Sequence, residues 1–85
     1  MGNYEVSIRK SAIKELNALP ARELPRIVAK IRGLAEDPRA AGSEKLTGEE
    51  KFRVRQGLYR ILYEIDDART TVTIVKIAHR REAYR

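Results

Sequence analysis

The chain has 85 residues, which is enough for one domain and leaves no room for a second hydrophobic core. It has no cysteine and one histidine, so a disulfide framework is excluded, and neither a structural metal site nor a cofactor is expected. No apolar run approaches the roughly 20 residues that span a bilayer, and residues 1–4 do not begin a signal peptide. We therefore expect a single domain over residues 1–85, located in the cytoplasm and without a membrane partner.

The positive charge is concentrated in the C-terminal part of the chain. The net charge is +6; residues 1–50 carry 9 Lys/Arg against 8 Asp/Glu, and residues 51–85 carry 9 against 4. A basic region of this kind is typical of a surface that binds a polyanion such as RNA. A solvated basic surface that favours solubility is the alternative, and the charge alone does not separate the two.

The N-terminal half predicts one strand followed by two helices. Residues 4–9 alternate with a period of two, which predicts a strand. Ser11 is the predicted cap of the first helix, which ends at Pro20. The second helix is predicted from Leu24 to near Asp37, where the following Pro38 disfavours helical geometry. The predicted apolar stripes of the two helices are Ala12, Ile13, Leu16 and Leu19, and then Leu24, Ile27, Val28, Ile31, Leu34 and Ala35.

The C-terminal half predicts three strands. Residues 39–50 contain turn-forming residues and predict a loop, with a short extended piece at residues 45–46. Residues 51–65 predict a hairpin of two strands joined at Gln56–Gly57, and residues 71–78 predict a central strand. The order β-α-α-β-β-β predicts an α+β fold, in which an N-terminal helical hairpin packs on one face of a mostly antiparallel four-stranded sheet.

Three arginines are predicted to share the other face of this sheet. Arg53 and Arg55 lie on the same side of the first hairpin strand, and pairing of the strands brings Arg60 to that side. Guanidinium groups held close together repel one another, and an anion such as a phosphate relieves that repulsion. Glu64 falls on the same face, where we expect it to form a salt bridge that orients Arg60.

The sequence also resembles a known family. The segments F-R-V-R-Q-G-L-Y-R-I-L-Y-E-I-D-D and T-V-T-I-V-K-I-A-H-R-R-E-A-Y-R, together with the upstream S-A-I-K-E-L-N-A-L-P, are similar to the RelE branch of the RelE/ParE toxins. The resemblance covers essentially the whole chain. It implies a RelE-like fold and a toxin that enters the ribosomal A site and cuts messenger RNA there.

The partners that the resemblance implies are a cognate RelB-like antitoxin, the 70S ribosome with its messenger RNA, and operator DNA only through the antitoxin complex. The alternative function is that of a ParE-like toxin, which shares the fold and inhibits DNA gyrase without cutting RNA. The arginines favour the nuclease, because they are a fuller complement for RNA cleavage than gyrase inhibition requires.

The resemblance also implies roles for individual residues. The chain departs from the pattern of some relatives at Arg53 and Arg55, where those relatives have lysines. Arginine is a poor base at neutral pH, so the identity of the general base is left open. Histidine is the side chain whose ordinary titration, at about pH 6.5, lies nearest to neutrality, so His79 is the natural acid–base candidate, with a structural role as the alternative. The catalytic candidates are Arg53, Arg55, Arg60, His79, Arg80 and Tyr84, and the RNA-binding candidates are Lys51, Arg81 and Arg85.

Overall fold

The computed structural model describes residues 3–46 and 51–79. The elements in chain order are β1 (Glu5–Ile8), α1 (Lys10–Asn17), α2 (Leu24–Glu36), β2 (Ser43–Lys45), β3 (Lys51–Gln56), β4 (Tyr59–Asp66) and β5 (Thr71–His79). The strands form one sheet in the order β1-β5-β4-β3-β2, in which β1 and β5 are parallel and all other pairs antiparallel. The α+β class is confirmed.

In the part of the chain that the structure describes, the sheet has five strands, whereas the sequence predicts four. The additional strand is β2, which pairs with β3 at the edge of the sheet and begins two residues before the predicted extended piece. Its three residues, Ser-Glu-Lys, carry no alternation of apolar and polar side chains. Alternation therefore gives no signal for β2, and the predicted extended piece overlaps this strand at Lys45.

The first helix differs from its prediction at two positions. Arg9 is the N-cap and Ser11 lies inside the helix, so the predicted Ser11 cap is wrong. The Arg9 N–H bonds to the Ile74 carbonyl at 3.0 Å, so the chain leaves the sheet and turns directly into α1. Ile13 is 41% exposed and is not part of the apolar stripe, because Ala12 occupies the buried position of this short helix.

The two helices and one face of the sheet enclose a single core. The second helix is as predicted, with three buried residues (Ile27, Ile31 and Leu34) and an end just before Pro38. α1 packs against β5, and α2 against β1, β3 and β5. Tyr63 is fully buried, and its hydroxyl donates to the Pro38 carbonyl at 2.6 Å, which holds the segment after α2 on the sheet. The core residues of the sheet are Phe52, Val54, Ile61, Tyr63, Ile65, Val72, Ile74 and Ile77.

The β3–β4 hairpin turns at Gly57–Leu58, one residue later than predicted. Gln56 pairs with Tyr59, and Gly57 has a φ of +61°. A positive φ at the first central residue alone is the geometry of a type II′ turn, which glycine adopts without strain. This turn sets the register that aligns the arginines of β3 with Arg60 on β4.

A β-bulge interrupts the pairing of β4 with β5. Leu62 pairs with Lys76 and Tyr63 with Ile74, so Val75 is the extra residue. After Val75 the side chains of β5 point to the opposite faces from those that uninterrupted alternation would give. Ile77 therefore lies on the helix side together with Ile74. Lys76 then takes the open side of the sheet. The bulge therefore keeps a lysine out of the core.

Candidate nucleic-acid interface

The face of the sheet turned away from the helices carries the three predicted arginines. Arg55 pairs directly with Arg60, and Arg53 pairs with Leu62, which places all three side chains on one side of β3 and β4. We call this surface, defined by Arg53, Arg55 and Arg60, the arginine face. The sequence prediction that these three residues share a face is confirmed, whereas their roles remain predictions.

The three arginines differ in their surroundings. Arg60 is 5% exposed, so its charge lies almost out of water. Arg55 is exposed and, within residues 3–46 and 51–79, forms no ion pair. Arg53 is partly exposed, and its Nε lies 3.2 Å from Oε1 of Glu44 on β2. The face therefore combines one buried cation, one accessible cation and one cation that a carboxylate holds.

Glu64 does not form the predicted salt bridge with Arg60. Four residues along one strand separate them by about 13 Å, which is too far for contact. Glu64 instead lies 3.4 Å from the Arg9 guanidinium and pairs across the strands with Lys51. The prediction overlooked that Arg9, at the end of β1, reaches this face. A groove beyond Glu64 continues the open side of the sheet and is lined by Lys51, Asp66, Asp67, Arg69, Thr71 and Thr73.

His79 lies on the opposite side of the sheet from the arginine face. It pairs with Tyr59, and the two rings meet edge to face with centroids 5.4 Å apart. A cavity there is lined by His79 and Tyr59 together with Glu15 and Leu19 of the helical layer. The structure does not bring His79 together with the three arginines. Four further site predictions, Arg80, Arg81, Tyr84 and Arg85, lie outside the described residues.

Glu15 of α1 fixes the end of β5 that follows the bulge. Its Oε1 accepts the Ile77 N–H at 2.9 Å, and its Oε2 accepts from Lys76 Nζ at 2.9 Å. β1 pairs with Thr71 to Ile74, and beyond Ile74 no other strand of residues 3–46 and 51–79 pairs with this edge of β5. The Glu15 carboxylate accepts the backbone N–H of Ile77 there, next to Ala78, which pairs with Arg60.

The perturbed ionisable groups lie away from Arg55 and Arg60. Asp67 accepts a hydrogen bond from the Tyr4 hydroxyl at 2.7 Å and two from Arg39, at 3.1 and 2.9 Å. The Arg39 guanidinium and then the Tyr4 hydroxyl lower the pKa of the Asp67 carboxyl. The same carboxylate raises the pKa of Tyr4, and burial raises the pKa of Tyr63. These groups join distant segments of the chain, which is a structural role.

Neither a metal cluster nor a membrane span is found among the residues that the structure describes. Within these two ranges no three His, Cys, Asp or Glu side chains are grouped as metal ligands. No helix among them has the length and apolar content needed to cross a membrane.

Comparison with known proteins identifies the family. Residues 6–84 match the sequence family described as "ParE toxin of type II toxin-antitoxin system, parDE". The chain belongs to the RelE/ParE family of toxins from type II toxin–antitoxin systems. The family assignment agrees with the resemblance found in the sequence.

Individual relatives are of the RelE type. Toxin RelG of Mycobacterium tuberculosis is 38% identical, with 96% of this chain and 97% of RelG covered. The crystal structure of the toxin–antitoxin complex RelBE2 from M. tuberculosis matches with a TM-score of 0.82 and 35% identity, covering 91% of this chain and 98% of that one. The archaeal RelE–RelB complex of Pyrococcus horikoshii matches with a TM-score of 0.83 and 28% identity, covering 92% and 96%. This RelE-type toxin therefore has the fold of its relatives over nearly its full length.

Proposed function

We propose that this RelE-type toxin is an endoribonuclease that cleaves messenger RNA in the A site of the ribosome and thereby inhibits translation. The observation that carries the proposal is the arginine face, on which the buried Arg60 lies directly opposite the exposed Arg55. A permanent cation in a position with little water interacts strongly with developing negative charge. A neighbouring accessible cation is suited to capture the phosphate that carries this charge.

The proposed reaction needs no metal ion. The 2′-oxygen of one nucleotide attacks the adjacent phosphorus, and the bond from phosphorus to the 5′-oxygen breaks. One proton leaves the 2′-hydroxyl and one joins the departing 5′-oxygen, so the products end in a 2′,3′-cyclic phosphate and a 5′-hydroxyl. The pentavalent transition state gains negative charge on its non-bridging oxygens, which Arg60 and Arg55 stabilise through bidentate hydrogen bonds.

Arg53 has a separate part in this proposal because Glu44 already holds it. We assign Arg53 to the phosphate next to the scissile one, where exchange of carboxylate for phosphate accompanies RNA binding. His79 has a structural role in this proposal, since its ring packs on Tyr59 on the helix side of the sheet. Proton transfer is therefore assigned to groups other than His79.

A RelB-like antitoxin is the proposed protein partner. The matched structures from M. tuberculosis and P. horikoshii are complexes of toxin and antitoxin, which supports an equivalent partner for this chain. An antitoxin that covers the arginine face would prevent RNA from reaching Arg55 and Arg60. Operator DNA is proposed to bind only through the antitoxin.

One experiment tests the nuclease proposal against the gyrase alternative. The purified protein is added to a translating extract, messenger 5′ ends are mapped by primer extension, and gyrase supercoiling is measured in parallel. We expect cuts at codon spacing that require ribosomes and disappear when the A-site codon carries 2′-O-methyl groups. Inhibited supercoiling with intact messenger would instead identify a ParE-like activity. Cuts that persist with 2′-O-methyl groups would overturn the proposed chemistry.

A further inference from the structure

The strand β1 lies at one edge of the sheet, and its outer side is open. The N–H groups of Glu5 and Arg9 bond to carbonyl groups on the β5 side, at 2.9 and 3.0 Å. Because successive backbone groups point to opposite sides of a strand, the N–H and carbonyl groups of Val6 and Ile8 point away from β5. Among the residues that the structure describes, no strand pairs with this outer side, and the end of α2 reaches it at Tyr4, whose N–H bonds to a carbonyl of that helix at 2.7 Å. An edge of this kind is a template for a strand of another chain.

The middle of β1 lacks the features with which proteins usually protect an edge strand. Protected edges carry a charge or a proline, contain a bulge, or are very short. The middle of β1 is Val6-Ser7-Ile8, and its pairing with β5 is regular. The opposite edge of the sheet, β2, has three residues, of which two are charged. The sheet is therefore protected at β2 and open to pairing at β1.

The sequence of β1 is complementary to itself when two copies of the strand run antiparallel. With a two-fold axis at Ser7, the Ser7 residues of the two copies lie opposite each other. Val6 and Ile8 then exchange their open backbone hydrogen bonds between the copies. Glu5 lies opposite Arg9 at both ends of the pairing, and pairs of opposite charge across two strands are stabilising. A parallel arrangement would instead place like charges together.

The two charged side chains of β1 are accessible for these contacts. Both are exposed, and Glu5 forms no ion pair within residues 3–46 and 51–79. Arg9 lies 3.4 Å from Glu64, which is long for a hydrogen bond, and its side chain remains 52% exposed. The two ends of β1 therefore present an accessible carboxylate and an accessible guanidinium.

Val6 and Ile8 add an apolar contact on the helix side of the strand. Together with Leu16 and Val28 they line part of a groove of about 650 Å³ between β1 and the two helices. Both side chains are only partly buried in the single chain. Pairing with a second copy would therefore remove apolar surface from water in addition to forming hydrogen bonds.

We propose that two copies of this chain pair through antiparallel β1 strands and join their sheets into one. The arginine face lies on β3 and β4, and β4 is two strands from β1, or about 10 Å, so the pairing leaves this face open. So short a strand forms an interface smaller than the standard area of about 1,600 Å², so we expect a weak dimer with a Kd of about 100 µM. The inference does not depend on the nuclease proposal.

Charge reversal tests the pairing at positions that are exposed in the single chain. Analytical ultracentrifugation from about 5 to about 500 µM is expected to show the molar mass rising from 9.7 kDa towards twice that value. Glu5→Arg and Arg9→Glu each place like charges opposite one another, so each is expected to raise the Kd of the dimer about tenfold. The double variant restores opposite charges and should return the Kd to within about threefold of that of the unaltered protein.

The two single variants are controls for one another, because they change the net charge in opposite directions. General repulsion between basic molecules would weaken the dimer in Glu5→Arg and strengthen it in Arg9→Glu. That pattern, or a dimer that neither substitution affects, would overturn the proposed pairing.

A disulfide tests the register of the pairing. The chain has no cysteine, so a single introduced cysteine forms a disulfide only between two copies. Directly opposed residues of a non-hydrogen-bonded antiparallel pair have Cα atoms about 4.5 Å apart, so Ser7→Cys is expected to give a covalent dimer on mild oxidation. Glu5→Cys is the control, since its two copies lie about 13 Å apart along the pairing, beyond the reach of a disulfide. Equal cross-linking of the two variants would overturn the register.

Amide hydrogen exchange at about 5 and about 500 µM distinguishes a second copy from another occupant of this edge. We expect the N–H groups of Val6 and Ile8 to exchange more slowly at the higher concentration. Unchanged exchange, with protection that appears only when a RelB-like antitoxin is added, would assign the edge to the antitoxin and refute the dimer. A mass of 9.7 kDa at every concentration, without a disulfide in Ser7→Cys, would refute it as well.

Discussion

Arg60 combines a permanent positive charge with a position that is almost free of water. A buried charge costs free energy of desolvation, and function is one reason to retain it. Its neighbours on the open side of the sheet are Arg55 on β3 and the buried Ala78 on β5. The strands on both sides fix the position of the Arg60 backbone in the sheet, and in the proposed mechanism this preorganisation favours stabilisation of the transition state.

We predict that Arg60→Met lowers the rate of ribosomal messenger cleavage about 100- to 1000-fold, the usual loss when one preorganised donor is removed. Methionine preserves most of the alkyl volume, so cooperative thermal unfolding should be retained, as circular dichroism can check. Arg69→Met, in the exposed loop, is the control and should cleave normally. Cleavage by Arg60→Met at the unaltered rate would remove Arg60 from the mechanism.

Glu44 is a second residue whose removal is informative, because it is an anion beside a proposed phosphate site. In the proposed mechanism RNA displaces it from Arg53, whose Nε lies 3.2 Å from Glu44 Oε1. We predict that Glu44→Gln tightens the binding of messenger-programmed ribosomes about threefold and leaves the cleavage rate unchanged, since exposed ion pairs are weak. Glu36→Gln removes the same charge from α2 and is the control. A tenfold loss of rate in Glu44→Gln would instead identify Glu44 as a proton acceptor.

At the scale of elements, the alternation along β3 and β4 was sufficient to predict the arginine face. Side chains alternate on a strand whatever it packs against, and the turn at Gly57 sets the register. The face of His79 could not be predicted in the same way, because the bulge at Val75 exchanges the two faces of β5. The sequence does contain a signal for the bulge, since uninterrupted alternation from Ile74 would place Lys76 in the core.

The burial of side chains and the contacts between distant segments could not be predicted from the sequence either, because both depend on how the elements pack together. Glu44 lies on a three-residue polar strand without an apolar pattern, so its contact with Arg53 had no signal. Arg9 reaches Glu64 only because β1 pairs with β5, a contact between distant parts of the chain. The near-complete burial of Arg60 likewise depends on packing and not on its position in a strand.

The loop between β4 and β5 contains a strained residue. Thr70 has a φ of 50°, in a region that β-branched residues rarely adopt and that glycine adopts freely. We predict that Thr70→Gly raises the free energy of unfolding by about 1 kcal/mol, because relief of backbone strain exceeds the added entropy of the unfolded chain. Urea unfolding measures this change. Thr71→Gly, in the regular β5 strand, is the control and should be destabilising; a loss of stability in both variants would refute the strain.

At the scale of the whole molecule, three segments that are distant in the sequence meet at Asp67. Tyr4 precedes β1, Arg39 follows α2, and Asp67 begins the β4–β5 loop, so the carboxylate links the N-terminus, the helical layer and the sheet. The Arg39 guanidinium also lies over the Phe52 ring, 5.3 Å from its centroid. This contact joins the Asp67 cluster to the core.

The Asp67 cluster predicts how stability depends on pH. Because the pKa of Asp67 is lower in the folded protein, its contribution is present above pH 3.8 and is lost as the pH falls through the folded-state pKa. The pKa of Tyr4 is raised, so its contribution is present below pH 10.0 and is lost as the pH rises through the folded-state pKa. The free energy of unfolding should therefore decline at both low and high pH, in addition to any general effect of charge.

Two substitutions separate these contributions when urea unfolding is measured from pH 2 to pH 11. Asp67→Asn should lower stability at neutral pH and reduce both the acid and the alkaline decline, since it removes the carboxylate on which both pKa shifts depend. Tyr4→Phe should remove the alkaline component and only part of the acid one, because Arg39 still lowers the pKa of Asp67. Stability profiles that run parallel to that of the unaltered protein would show that this cluster does not link folding to protonation.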